Sequence, residues 1–160
     1  MTRQVMLFIL IGAMASPVLV KSACLDGWSE YLGHCYGCMQ PATTWEHADY
    51  ICKNHFGYLA SIHTLDENEF VAGACSSDWD LWIGFNKKDD SLTWQWSDGT
   101  DLVYTNWEEG QPDGESSGLL DGDVSCAMQK NEAVVGSGDQ TWEDEDCLNE
   151  YYFVCKAKVL

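Results

Sequence analysis

The chain has 160 residues, with 26 Asp and Glu against 8 Lys and Arg, so its formal net charge at neutral pH is -18. A chain this acidic is a poor partner for nucleic acid, because phosphate contacts require clustered Lys and Arg. The same surplus of carboxylates keeps a secreted protein soluble, and it also supplies oxygen ligands for a hard cation such as calcium.

The first predicted element is an export signal over residues 1–22. Arg3 precedes the apolar run VMLFILIGAMA, and Pro17 and the small residues of VKSAC suit a cleavage site. The apolar run is too short for a convincing membrane span. We therefore expect a secreted, extracellular product without a membrane span, folded as a single domain over residues 23–160, a length that suits one core.

The eight cysteines all follow this segment. They stand at positions 24, 35, 38, 52, 75, 126, 147 and 155. An even number in an exported domain predicts a disulfide framework, whose connectivity the spacing alone leaves open. The pair Cys35 and Cys38, followed by Cys52 and His55, also has the spacing of a structural zinc site. Export argues against zinc, because cysteines are expected to pair in an oxidising compartment.

The first predicted helix follows Thr43, which with Glu46 matches the Thr-x-x-Glu pattern of a helix start. Its apolar residues recur at three- and four-residue steps and form one face: Trp45, Ala48, Cys52 and Phe56. Gly57 is where we expect this helix to stop.

The second predicted helix, LDENEFVAGAC, follows Thr64, which with Glu67 forms the same Thr-x-x-Glu pattern of a helix start. After Cys75 the apolar period changes to two, and DLWIGF and LTWQWS are predicted strands. The stretch between Val103 and Val124 is rich in Gly, Asp, Glu and Ser and has little periodicity, which is typical of a loop that is either functional or disordered. Together these elements predict an α+β domain.

Catalytic motifs are absent from the sequence. It contains no His-Glu-x-x-His, no Gly-x-Ser-x-Gly and no phosphate-binding glycine loop, and its four histidines all lie in the first half. We therefore expect no enzymatic activity. Many of the tryptophans are expected in the core, because the following ones fall at the buried positions of their elements: Trp45, Trp82, Trp94 and Trp96.

Six short blocks occur in a characteristic order: CLDGW at 24–28, YLASIH at 58–63, WIGF at 82–85, WQWSDG at 94–99, NW at 106–107 and QPD at 111–113. Taken together they resemble the C-type lectin domain, and the resemblance runs from Cys24 to Cys155. It implies two helices flanking two small antiparallel sheets, with a long loop for calcium and sugar.

The resemblance also implies three disulfides of the long form of this domain, Cys24–Cys35, Cys52–Cys155 and Cys126–Cys147. Cys38 and Cys75 then remain. They either pair with each other, which ties the first strand to the end of the second helix, or form bonds between chains. Non-reducing electrophoresis separates these alternatives.

The QPD block carries the functional part of the resemblance. It implies a cis bond before Pro112, with Gln111 and Asp113 turned toward one calcium ion whose shell is completed by sugar hydroxyls. Glu143 and Asp144 are the further ligands, and Asp123 is a candidate for one more. The order Gln-Pro-Asp goes with galactose-type sugars in this family, and Glu-Pro-Asn goes with mannose-type sugars.

Two positions depart from the family pattern. Glu143 replaces the usual Asn, and Val124 replaces a shared Glu.

The resemblance implies a calcium-dependent lectin for galactose or N-acetylgalactosamine on cell or microbial surfaces. Such a lectin suits agglutination or innate recognition, with homo-oligomers raising a weak single-site affinity. The alternative is a lectin-like domain that has lost sugar binding and acts through protein, mineral or ice surfaces.

Overall fold

The computed structural model describes residues 24–75, 79–87, 93–115, 123–131 and 140–159. The predicted signal segment 1–22 and Leu92 of the predicted strand LTWQWS lie outside these ranges. None of the helices within the ranges is long and apolar enough to cross a membrane.

Eight strands and two helices are formed by the described residues. In chain order they are β1 (Ser29–Tyr31), β2 (His34–Thr43), α1 (Trp45–Asn54), β3 (Gly57–Leu59), α2 (Leu65–Gly73), β4 (Leu81–Asn86), β5 (Gln95–Trp96), β6 (Val124–Gln129), β7 (Trp142–Asp146) and β8 (Tyr151–Lys158). The predicted α+β class and both predicted helices are confirmed. In the described part of the predicted strand LTWQWS, residues 93–97, the strand β5 comprises Gln95 and Trp96.

The strands form one mixed sheet in the order β1-β2-β8-β4-β6-β7, with β3 added to β8 and β5 added to β4. Every pairing is antiparallel except that of β4 with β8, where Trp82 lies opposite Phe153. The two small antiparallel groups that the resemblance implies are therefore joined by one parallel pairing. This arrangement brings β7, near the end of the chain, to the sheet edge beyond β6.

The start and end of α1 differ from the prediction. Thr43 is the last residue of β2, and the N-cap is Thr44, which makes no side-chain cap hydrogen bond. Phe56 does not join the buried face of α1 and is 84% exposed, because the helix ends at Asn54 and the chain turns into β3. Phe56 takes the left-handed conformation of that turn, with φ of 60°. Gly57 is already in β3, where a Cβ would lie 2.4 Å from the Lys156 carbonyl oxygen in β8.

The start of α2 agrees with the prediction. The Thr64 hydroxyl accepts a hydrogen bond of 3.1 Å from the Glu67 backbone amide. The Glu67 carboxylate reaches back to the His63 amide at 2.8 Å, one residue before the cap. The pair thus satisfies two amides at the helix start.

Two buried clusters fill the space between the sheet and the helices, and Trp45, Trp82 and Trp96 belong to them as predicted. Trp94 packs against them half-buried. All eight cysteines are paired, as Cys24–Cys35, Cys38–Cys75, Cys52–Cys155 and Cys126–Cys147. Because Cys35, Cys38 and Cys52 of the predicted zinc pattern are all in disulfides, none of them is a thiolate that could bind zinc.

Candidate functional site

The segment 106–115 lies along β7 and presents the QPD residues at the surface. Trp142 of β7 donates its amide to the Asn106 carbonyl at 2.7 Å and accepts the Glu108 amide at 2.9 Å. Trp142 itself is fully buried, and its indole nitrogen donates to the Asn68 side-chain oxygen at 2.7 Å. The start of this loop is therefore fixed to the sheet and, through it, to α2.

The bond between Gln111 and Pro112 is cis, as the resemblance implies. The Gln111 amide nitrogen donates to Asp113 Oδ2 at 3.3 Å, and the Asp113 backbone amide donates to Gln111 Oε1 at 3.2 Å. The Glu115 amide donates to Asp113 Oδ1 at 2.7 Å. The two side chains on either side of the proline thus lie together near the surface, each held by a short-range contact.

Asp144 connects β7 to this loop. Its side chain is fully buried, its Oδ1 accepts the Asp113 amide at 2.9 Å, and its Oδ2 accepts the Gly114 amide at 3.1 Å. Burial raises the pKa of Asp144, and the two amide hydrogen bonds act in the opposite direction. Both oxygens of this predicted calcium ligand are engaged with the backbone of the loop.

Glu143 forms an ion pair with Lys130. Its Oε2 lies 3.3 Å from the Lys130 ammonium, which also lies 2.9 Å from Oε2 of Glu108 in the loop. Burial raises the pKa of Glu143 against the opposing effect of Lys130, and the hydrogen bond to Glu108 raises the pKa of Lys130. A cationic side chain therefore bridges a predicted ligand and the loop.

Asp123 is offset from these residues. Val124 pairs with Asp146, whereas Asp144 lies opposite Ala127, which displaces Asp123 from Asp144 along the sheet. The Asp123 carbonyl accepts the amides of Ser125 and Cys147.

The structure brings together Gln111, Asp113 and Asp144 directly, and it links Glu143 to the same loop through Lys130. In the part of the chain that the structure describes, no group of three or more His, Cys, Asp or Glu side chains is arranged to hold a metal ion.

Lys130 and Asn68 are the site residues that sequence reasoning missed. The Asn68 side chain donates to the Gln140 carbonyl at 3.0 Å and accepts from Gln129 at 2.8 Å, in addition to Trp142. Neither residue belongs to a motif, and each reaches the site only through strand pairing or helix packing. Lys130 directly follows β6, which was not among the predicted strands, so no pattern marked it.

A second polar cluster lies away from the loop. The Lys156 ammonium donates to Oε1 of Glu67 at 2.7 Å and to the Ser61 carbonyl at 3.0 Å, and the Tyr36 hydroxyl donates to the same Glu67 oxygen at 2.5 Å. The Lys156 and Glu67 side chains are both at least nine-tenths buried. This cluster fixes the start of α2 to β8 and β2.

Comparisons with a family profile and with individual proteins identify the same family. A profile described as the lectin C-type domain matches residues 42–157. The C-type lectin lectoxin-Lio1 of Erythrolamprus poecilogyrus is 31% identical over 144 residues, which cover 84% of this chain and 80% of that protein. Human lithostathine-1-beta is 32% identical over 143 residues, which cover 86% of this chain and 80% of its own length.

Solved structures with the same fold include proteins of different activity. A calcium-independent type II antifreeze protein has a TM-score of 0.73 and 25% identity, covering 86% of this chain and 96% of its own. The cow carbohydrate-recognition domain of CD23, solved in the presence of a GlcNAc2Man3 oligosaccharide, has a TM-score of 0.72 and 28% identity, covering 88% and 99%. These neighbours confirm the fold that the sequence resemblance implies.

Proposed function

Because the chain belongs to the C-type lectin domain family, we propose that it is a secreted lectin that binds galactose-type glycans through Gln111 and Asp113. The family consists of carbohydrate-binding or lectin-like proteins, which agrees with the prediction that the chain is not an enzyme. The observation that carries the proposal is the pairing of these two side chains at the surface of a loop anchored by the buried Asp144.

The chemistry of the pair suits sugar hydroxyls. The Gln111 amide both donates and accepts hydrogen bonds, whereas the Asp113 carboxylate only accepts them. The order amide first and carboxylate second is the galactose-type order, so galactose and N-acetylgalactosamine are the proposed ligands. A loop already held by Asp144 loses little conformational entropy when it binds, and this favours affinity.

Calcium is the expected cofactor of the family resemblance, but the donors as arranged do not fit it. Calcium needs about six to eight oxygen ligands. Both Asp144 oxygens accept loop amides, Glu143 is paired with the Lys130 ammonium, and Asp123 is offset along the sheet. The proposed recognition therefore uses direct hydrogen bonds between sugar hydroxyls and the side chains of Gln111 and Asp113, with Asp113 as an acceptor.

The proposed setting follows from the sequence. Residues 1–22 would be removed on export, leaving residues 23–160 as one extracellular domain that meets glycans on cell or microbial surfaces. Two hydrogen-bonding side chains give a weak single site, so homo-oligomers would supply the affinity by multivalency. Agglutination or innate recognition of microbes is the corresponding role.

A second candidate is a lectin-like domain that acts through protein, mineral or ice surfaces. The observation that favours it is the internal engagement of Glu143 and Asp144, two of the expected ligands of a sugar-bound calcium, with Lys130 and with loop amides. The structural likeness to an antifreeze protein described as calcium-independent supports the same candidate.

The two candidates separate on immobilised galactose and immobilised mannose. The proposal expects retention on galactose, release by free galactose and weaker retention on mannose. Asp113→Ala should abolish retention, whereas Asp101→Ala, which removes another exposed carboxylate outside the QPD block, should not. Passage of the wild-type chain through both resins would reject the sugar proposal in favour of the second candidate.

A further inference from the structure

Lys130 lies between two parts of the candidate site that are distant in sequence. It follows β6, and its backbone amide donates to the Thr141 carbonyl at 2.9 Å, which fixes its position beside β7. Its ammonium contacts Oε2 of Glu108 at 2.9 Å and Oε2 of Glu143 at 3.3 Å, and its side chain is only one-quarter exposed. One cation thus joins a loop carboxylate to a strand carboxylate.

This contact balances charge in a strongly acidic molecule. Glu108 and Glu143 both come within 3.3 Å of the same nitrogen, so without Lys130 they would face each other as two negative charges. The Glu143 side chain is 19% exposed and the Glu108 side chain 41% exposed. Water and salt therefore screen the negative charge of Glu143 less than that of Glu108. An internal cation at this point stabilises both carboxylates in their observed positions.

Asp144, one residue further along β7 than Glu143, binds the backbone of the loop. Its carboxylate accepts the amides of Asp113 and Gly114, and before Pro112 the Glu108 amide donates to the Trp142 carbonyl of β7 at 2.9 Å. The loop is therefore tied to β7 at both sides of Pro112 by groups of the protein itself. Within the loop, Gln111 and Asp113 are also hydrogen-bonded to each other.

We infer that Lys130 takes the place of a metal ion at this site, so that the loop is ordered without calcium. Calcium would need the Glu143 carboxylate, which is already paired with an ammonium that would repel a divalent cation. The inference concerns the order of the loop and stands whether or not the ligand is a sugar.

Thermal unfolding without any sugar tests this inference. The wild-type midpoint should differ by less than about 1 °C between excess chelator and millimolar calcium, because a ligand stabilises only if it binds the folded state. Lys130→Met keeps the aliphatic stem and removes the charge, so its midpoint in chelator should fall by about 3 °C or more. Calcium, but not magnesium, should restore at least about half of that loss, since it would replace the missing cation.

Two controls accompany the measurement. Lys53→Met removes another paired lysine, whose ammonium lies 2.6 Å from Asp49 in α1, and it should create no response to calcium. Lys130→Arg keeps the positive charge and should remain insensitive to calcium, and it carries the test if Lys130→Met does not fold. A wild-type midpoint raised by more than about 3 °C by calcium, with no such rise in magnesium, would overturn the inference. A Lys130→Met response identical to that of the wild type would overturn it as well.

Discussion

The backbone amide of Asp113 donates a hydrogen bond of 2.9 Å to the buried carboxylate of Asp144, which lies 31 residues later in the chain. The next amide, that of Gly114, donates to the other oxygen of the same carboxylate. A residue of the sheet edge therefore sets the position of the loop that carries Gln111 and Asp113. The same residue was predicted as a calcium ligand, and here its oxygens hold the backbone instead.

Replacing Asp144 with the similarly sized Asn should weaken the attachment of the loop to β7. Asp144→Asn keeps the volume but turns one acceptor into a donor, which leaves a loop amide without its partner and costs about 1–3 kcal/mol of stability. We expect retention on galactose to fall at least about tenfold, a loss of about 1.4 kcal/mol in binding. Asp123→Asn is the control and should leave retention unchanged, whereas an equal loss in both variants would contradict the distinct roles assigned here.

The order of the amide and the carboxylate should determine sugar preference. Gln111→Glu combined with Asp113→Asn exchanges the two groups without changing the length of either side chain. We expect the double variant to bind mannose better than galactose, measured as the ratio of retention on the two resins. If the ratio is the same as that of the wild-type chain, hydrogen-bond order does not decide specificity in this protein.

The Lys156–Glu67 cluster predicts a dependence of stability on acid. Burial on its own would raise the pKa of Glu67, but hydrogen bonds from Lys156 and Tyr36 and from the His63 amide outweigh it and hold that pKa below its ordinary value. A carboxyl with a depressed folded pKa contributes stability that is complete above the unfolded pKa of about 4.3 and is lost as pH falls through the folded pKa.

We therefore expect the unfolding midpoint of the wild-type chain to fall more steeply below about pH 4.3 than that of Glu67→Gln, which has no charge to lose. Lys156→Met should destabilise the fold at neutral pH by about 3–5 kcal/mol, because it leaves a buried carboxylate without its cation. Parallel midpoint curves of the wild type and Glu67→Gln between pH 3 and pH 6 would show that Glu67 is not held ionised by the cluster.

The pairing of Cys38 with Cys75 within one chain predicts a monomer on a non-reducing gel. This bond joins β2 to the segment after α2, with a sequence separation of 37. Replacing both cysteines by serine should lower stability by about 2–4 kcal/mol, because the unfolded chain gains freedom. A dimer band that collapses on reduction in the wild type but is absent from the double variant would contradict the internal pairing.

Local patterns predicted those parts of the fold that depend on local chemistry. Thr64 and Glu67 marked the start of α2 because capping involves residues three positions apart. The same pattern at Thr43 was misleading, since the pairing of β2 with β8 extends through Thr43 and moves the helix start to Thr44. Phe56 has a helical spacing from Cys52, but α1 ends at Asn54 and Phe56 has a positive φ of 60° in the turn into β3, so it leaves the buried helix face.

The candidate site was predictable only where its residues stand in one motif. Gln111 and Asp113 are found from the QPD block, and their pairing agrees with it. The partners of Glu143 and Asp144 were not predictable, because Lys130 and the loop amides reach them through the pairing of β6 with β7 and through the folding of segment 106–115 onto β7. Contacts of this kind depend on strand register, which the periodicity of a single strand does not contain.

The most direct measurement is retention of the wild-type chain on immobilised galactose after calcium has been removed with excess chelator. Direct recognition by Gln111 and Asp113, in a loop tied by Asp144 and Lys130, predicts that the chain stays bound in chelator and is released by free galactose. Release of the chain by chelator, in the absence of free sugar, would contradict it, because the site would then depend on the metal that Lys130 is inferred to replace.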